Sequence, residues 1–394
     1  MENINLKQKS LIPHLKCYKK IADECEVYKN NDYFGSEPID VYKIESFWQN
    51  EKFLGGYLAT SNTKTKNIDI YKIYSKDNIE KISSIEIGYN NIHSVKYFYD
   101  SFHDIPYLTA LINEKTNILI WRIEKENKYT LITNYKEEKS QGGYSMSVRP
   151  IRFCFYMLLF DEEKSYLILI YNVQSGCSRK LNYIEKYDFI NNKKLDKLSH
   201  CNVFFSSEYK GFPINLNQKN YFGLLNEGKF ILYNIFSSDL KKSLEKETKK
   251  IKLICSKYGS GIRNGVIIRE NNEDKYLYYN EYYKDDYYNK FENDQNHDKN
   301  FIHKIDLINK EYLFKTAINI DELFSITVWN KNYLLLFEKI SKNIHLFNTK
   351  TFRIVNKFIN VDGDVYIGKK LTINNEELLF VNDLEGIINI WINE

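Results

Sequence analysis

Short apolar runs recur along the whole chain, and they come in pairs separated by a few polar residues. Near the end, Leu378, Leu379, Phe380 and Val381 form one run. Asn382, Asp383, Leu384, Glu385 and Gly386 form a short acidic turn, after which Ile388, Ile390 and Ile392 alternate with Asn389 and Trp391. An apolar strand, a Gly-bearing turn and an alternating return strand predict a β-hairpin with one buried face.

The same pattern is repeated upstream. Residues 107–112, a turn at 113–117 and the return 118–123 make the clearest copy, with Trp121 where Trp391 stands. Further copies run through 53–61 and 67–73, 153–160 and 167–172, 221–225 and 230–235, and 333–338 and 344–348. A distorted copy has strands at 265–268, 275–279 and 301–306. In this register the repeat position is Tyr71, Trp121, Tyr171, Tyr233, Ile305, Phe347 and Trp391, with a mean spacing of about 53 residues, close to one four-stranded propeller blade per repeat.

The expected fold is therefore all-β: a seven-bladed β-propeller of four-stranded antiparallel blades occupying residues 1–394 as one domain. Trp391 lies three residues from the last residue given, which leaves no room for an outermost strand in that blade. An apolar-polar segment at 15–21, within 11–30, precedes the first full blade and is the expected closing strand, since an uncovered edge would invite aggregation.

The hairpins resemble WD40-type repeats, most closely at Asn117, Ile118, Leu119, Ile120, Trp121 and Arg122 and at Gly386 to Trp391. The family's Gly-His pair is missing, and no Trp is followed by Asp, although Asp306 follows Ile305 and Asp383 stands for the family's turn aspartate. The resemblance implies binding of peptides or protein segments on one face of the ring.

Composition narrows the class. Hydrophobic residues make up 43% and aromatics 15%, with 33 Tyr and 24 Phe, which favours strands. The formal net charge of +4 is small for 394 residues, and Arg is sparse and never doubled, so no nucleic-acid footprint is present. The first residues lack the apolar core of a signal peptide and no 18 consecutive apolar residues occur, so the expectation is a soluble intracellular protein without integral membrane association. Cytoplasmic placement is expected, with the nucleus left open. The six Cys contain no Cys-x-x-Cys pair and read as reduced thiols.

No local constellation for catalysis emerges. His93, His103, His200, His297 and His303 are dispersed and read as surface or turn residues, so no metal and no cofactor is expected. P-loop, Gly-x-Ser-x-Gly and His-Glu-x-x-His motifs are absent. The Gly-rich stretch 258–265 leads into a strand and reads as an inter-blade turn. Residues 237–252 read as an inter-blade helix, with Ser238 or Asp239 as cap, Leu240, Leu244 and Ile251 on one stripe and Lys241, Lys242, Lys246, Lys249 and Lys250 around it. Residues 280–300 read as a low-complexity insert in the fifth blade, its first half rich in Tyr.

The expected function is a non-catalytic protein-protein interaction scaffold, a monomeric propeller within a larger hetero-complex, binding protein partners through its loops. Candidate contact residues are Tyr282, Tyr283, Tyr287 and Tyr288, because Tyr offers large contact area with few torsions, together with Lys241, Lys242 and Lys249. The alternative is a propeller enzyme, hydrolase-like, with groups converging on the central channel. A phosphoinositide-binding propeller is disfavoured by the lack of an Arg-Arg pair.

Overall fold

The computed structural model describes residues 12–22, 39–44, 55–62, 64–88, 92–112, 116–124, 128–136, 152–175, 179–200, 210–216, 219–226, 229–233, 250–252, 260–270, 273–283, 299–320, 323–338, 341–360 and 363–393. Within them the strand β1 (Leu15–Ala22) is followed by strands that turn back on one another four at a time. Blade 1 contains β2 (Ile39–Ile44), β3 (Gly55–Asn62), β4 (Asn67–Ile73) and β5 (Ile79–Glu86). Blade 2 contains β6 (Ile92–Asp100), β7 (Ile105–Ile112), β8 (Asn117–Glu124) and β9 (Lys128–Lys136). Blade 3 contains β10 (Arg152–Phe160), β11 (Ser165–Ser175), β12 (Arg179–Asp188) and β13 (Lys193–His200). Blade 4 contains β14 (Lys210–Leu216), β15 (Lys219–Asn226), β16 (Lys229–Tyr233) and β17 (Lys250–Lys252).

The remaining strands continue the pattern. Blade 5 contains β18 (Ser260–Glu270), β19 (Glu273–Tyr283), β20 (Lys299–Asp306) and β21 (Glu311–Ile318). Blade 6 contains β22 (Leu323–Asn330), β23 (Tyr333–Glu338), β24 (Asn343–Asn348) and β25 (Arg353–Ile359). Blade 7 contains β26 (Val365–Ile373), β27 (Glu376–Asp383) and β28 (Ile388–Asn393), and β1 supplies its fourth strand. β1 runs antiparallel to β28, with Leu15 opposite Asn393 and Cys17 opposite Trp391.

First strands pack on first strands: β2 on β6, β6 on β10, β10 on β14, β14 on β18, β18 on β22, β22 on β26, and β26 back on β2. Antiparallel four-stranded blades arranged in this way form a β-propeller. The core lies between blades. Tyr57, Ile70, Leu108 and Trp121 join blades 1 and 2, Phe230, Leu277 and Ile305 join 4 and 5, and Phe337, Leu346, Leu379 and Trp391 join 6 and 7. Ile39, Leu58, Phe380 and Ile390 occupy the seam between blade 7 and blade 1. Alternation puts one face of each strand against each neighbour, so most third strands are apolar on both sides.

That seam is also tied by polar contacts. The Tyr18 hydroxyl donates to Asp77, and Lys19 Nζ donates to the Asp77 carbonyl at 3.0 Å. The Lys76 N–H donates to Glu376 at 3.1 Å, and Asn374 Nδ2 donates to the Tyr74 carbonyl at 3.0 Å.

Four sequence expectations need correction. Tyr171 is on β11, a second strand, opposite Tyr183. The matching residue on the third strand is Tyr187, where the pairing to β13 slips by one residue. The same slip falls at Tyr71, Trp121, Ile305, Phe347 and Trp391. Residues 250–252 of the expected helix are strand β17; residues 237–249 lie outside the described residues. The blade 5 hairpin extends through Tyr283 and resumes at Lys299, so both ends of the expected insert at 280–300 are ladder, and residues 284–298 lie outside the described residues. The Gly-rich stretch is likewise strand from Ser260 onward, with a register shift between Ile262 and Gly265.

Candidate interaction face and buried polar pairs

Up-and-down strands put all turns between second and third strands on the same face as the connections from one blade to the next. The other face carries the turns between first and second and between third and fourth strands. On the first face the connections at 23–38, 137–151, 201–209, 253–259 and 284–298 are the long ones. On the second face most connections have two to five residues; 45–54 and 234–249 are the exceptions. The first face therefore concentrates the variable length of the chain, and loops on a rigid scaffold are where binding residues collect.

Of the candidate contact residues, Tyr282 and Tyr283 lie among the described residues. Tyr282 and Tyr283 end β19, opposite Asn300 and Lys299 on β20 and Gly261 and Ser260 on β18, so their backbone belongs to the blade 5 ladder. Tyr287, Tyr288, Lys241, Lys242 and Lys249 lie outside the described residues.

Sequence reasoning missed a set of polar pairs inside the blades, between the last residues of a second strand and the facing third strand. In blade 1, Asn62 Nδ2 donates to Asp69 at 3.0 Å. Lys81 at 2.8 Å and the Ser84 hydroxyl at 2.5 Å also serve this carboxylate. Burial alone would raise the Asp69 pKa, but these hydrogen bonds outweigh it and hold the carboxyl below its ordinary range. In blade 6, His345 Nε2 lies 3.2 Å from Glu338, which also accepts from Asn343 and Ser341.

Blade 5 has the largest network. His303, with no exposed surface, lies 3.0 Å from Glu281 through Nε2 and 2.9 Å from the Tyr312 hydroxyl through Nδ1. Lys315 Nζ reaches the same Glu281 oxygen at 2.9 Å, and the Tyr279 ring stacks on the imidazole at 4.5 Å. A neutral ring with its proton on Nε2 satisfies both contacts, donating to Glu281 and accepting from Tyr312. Burial pushes the His303 and His345 pKa values down despite the opposing pull of Glu281 and Glu338. With Lys315 already opposite Glu281, a second cation at His303 would be uncompensated. These imidazoles are core groups, out of reach of a substrate.

The sequence signal was the position itself. Asp69, His303, His345 and Asn389 each stand two residues before the repeat aromatic or aliphatic residue, and all four are buried. A polar side chain at an otherwise apolar strand position calls for a partner.

One solvent-reaching pair stands apart. Asp100, fully buried, accepts from the Phe102 and His103 N–H groups and from His103 Nδ1 at 2.8 Å, which raises the His103 pKa. This is an Asx turn with a histidine folded onto its carboxylate. Among the described residues no three His, Cys, Asp or Glu side chains gather as a metal group, and no helix is long and apolar enough to cross a membrane.

Comparison with known proteins bears on the fold. No family model matches the sequence, and no curated protein matches it. Solved structures do match. One is the crystal structure of BBS1N in complex with ARL6DN, soaked with mercury, which is similar over 91% of this chain and 93% of that chain, with a TM-score of 0.55 and 11% identity. At that identity the likeness is one of fold.

Proposed function

We propose that this chain is a non-catalytic scaffold, a seven-bladed WD40-like propeller acting as a subunit of a larger cytoplasmic complex. It binds protein partners through the face that carries the connections between blades. The observation that carries this reading is the crowding of long connections on that face, while the opposite face is closed mostly by short turns. The circuit of first-strand contacts supports the blade number, and it makes the ring a rigid base for those loops. The protein similar in fold was solved with a partner protein, which fits the same use of the architecture.

The test is affinity purification of the tagged full chain from its own cell at moderate salt, followed by mass spectrometry. A stoichiometric set of proteins is expected. Replacing Tyr282, Tyr283, Tyr287 and Tyr288 together by Ser should weaken their capture. Recovery of no partner at any salt concentration would reject the scaffold reading and favour an enzyme.

A further inference from the structure

We infer that His103 and Asp100 form a proton-operated clasp between blades 2 and 3. The imidazolium holds the blade 2 turn 101–104 to the blade 3 turn 161–164, and the neutral ring releases it. Both turns join a first strand to a second, so the clasp lies on the face opposite most of the long connections and does not depend on the scaffold reading.

Blade 2 supplies the ring and its carboxylate. The Phe102 and His103 N–H groups donate to Asp100 Oδ1 at 3.0 and 3.2 Å, which leaves Oδ2 for the imidazole, 2.8 Å from Nδ1. Asp100 is fully buried, whereas the His103 side chain keeps 40% of its surface in solvent and exchanges protons freely.

Blade 3 meets the same two groups. Ser165 Oγ, at the start of β11, lies 3.5 Å from the Asp100 oxygen that faces His103. The turn before it is braced by Asp161, whose N–H donates to the Lys164 carbonyl at 2.9 Å and whose Oδ1 accepts the N–H groups of Glu163 at 2.9 Å and Lys164 at 2.6 Å. That turn presents the Glu162 carbonyl and the Asp161 charge to His103. Next to it, Tyr107 of β7 stacks on Phe160 at 5.6 Å and meets Phe189 edge-on at 5.5 Å, so the clasp borders the apolar core of this seam.

Ring chemistry makes the contact depend on a proton. A neutral imidazole has one N–H, which Asp100 takes, and its other nitrogen is a lone pair with nothing to offer an acceptor. The imidazolium donates from both nitrogens and carries the charge that the blade 3 acceptors attract. The hydrogen bond to Asp100 and then its charge hold the His103 pKa above the ordinary imidazole value, with smaller help from the Glu162 carbonyl and Asp161, while burial opposes them. The other charged groups of the two turns are Asp104, which takes the Tyr99 hydroxyl, and Glu162, Glu163 and Lys164. Burial pushes the Tyr107 hydroxyl up to about 12, so it does not titrate in the same window. The sign is therefore fixed: the contribution is fully present below about pH 6.5 and is lost as pH rises through the folded-state pKa of His103, opposite to His303 and His345.

The test uses the full chain and His103→Gln, a change at a solvent-reaching side chain that keeps a polar donor. In the parent, the histidine resonance missing from His103→Gln should titrate with a midpoint above about 6.5. Hydrogen exchange of residues 161–164, corrected for its intrinsic pH dependence, should be about two- to fivefold slower at pH 6 than at pH 8, the range of an ion pair with one exposed partner. His103→Gln should show no such difference. A midpoint at or below 6.5 would overturn the clasp. So would a raised midpoint without a change in exchange at 161–164, which would confine the pair to blade 2, or the same pH dependence in His103→Gln.

Discussion

The seam between blades 6 and 7 should not tolerate one added methyl group at Gly368. This residue lies in β26, opposite Val381, and its carbonyl accepts the Thr327 hydroxyl from blade 6. A Cβ at Gly368 would overlap the Phe337 ring, with Cε1 at 2.7 Å and Cε2 at 3.0 Å. Phe337 is fully buried between the blades and cannot swing into solvent. Gly368 does not have a positive φ, so alanine fits the backbone and should gain about 0.4–1 kcal/mol through the unfolded chain. Overpacking costs about 1–3 kcal/mol, so the net loss should be about 1–2 kcal/mol. Urea unfolding followed by fluorescence would measure it as a lower midpoint at unchanged slope. The cycle with Phe337→Leu decides the cause: the smaller side chain destabilises alone but makes room for the methyl, so the two changes should couple favourably by at least about 0.5 kcal/mol. Additive losses, or a Gly368→Ala protein as stable as the parent, would refute the packing described for this seam.

Trp391→Ala should cost about 3–5 kcal/mol in the same assay, because the indole is 2% exposed between blades 6 and 7; an unchanged midpoint would contradict that placement. Deleting residues 1–22 should give aggregated or readily proteolysed protein, since β28 would lose its ladder partner and the Tyr18 and Lys19 contacts to Asp77 would go with it; a soluble, protease-resistant product would count against β1 as the closing strand. Stability should fall on acidification. The folded-state pKa values of His303 and His345 lie below the unfolded value near 6.5, so the unfolded chain binds more protons as pH drops below about 6.5, and the contribution present above that pH is lost. Thermal melts between pH 7.5 and 5 should show a shallower decline in His303→Gln; equal slopes would mean that His303 is not held neutral.

The four-stranded antiparallel propeller was legible because its unit is local. Hairpin alternation, short turns and an aromatic or aliphatic residue near the end of the third strand all fall within one repeat of about 53 residues. Where the reading slipped, it mistook one hairpin for another. Tyr171 followed by Asn172 looks like Phe347 followed by Asn348, yet only the latter is succeeded by a turn. Asn348 Oδ1 accepts the N–H groups of Lys350 and Thr351, and Phe352 takes a positive φ of 57°. Asp306 makes the same turn with Ile308 and Asn309, and Asp188 with Ile190 and Asn191. In blades 3, 5 and 6 the residue after the repeat position is a turn-forming Asx, and that chemistry places the third strand of blade 3 at Tyr187.

The candidate surface was less legible for a physical reason. In a ring of similar blades, what repeats is under the demands of packing, and what differs between blades is free to be used. Blade 2 has apolar Leu119 where its neighbours in the repeat have Asp69, His303, His345 and Asn389, so the polar position is not needed to build a blade. Its occupant can therefore vary with the partner available on the second strand: Asn62 for Asp69, Glu281 for His303, Glu338 for His345. Those pairs link residues 7 to 22 positions apart across a turn whose length varies, so no fixed motif records them. In blade 5 the pair sits within four residues of the end of β19, next to the connection 284–298. The longest turn between second and third strands thus leaves a hairpin whose base is held by four polar side chains, Glu281, His303, Tyr312 and Lys315. A buried network of this kind fixes one geometry where apolar packing would allow several. Loosening it by His303→Ala should therefore raise hydrogen exchange in β19 and β20 first, before any change in blades 1 and 2.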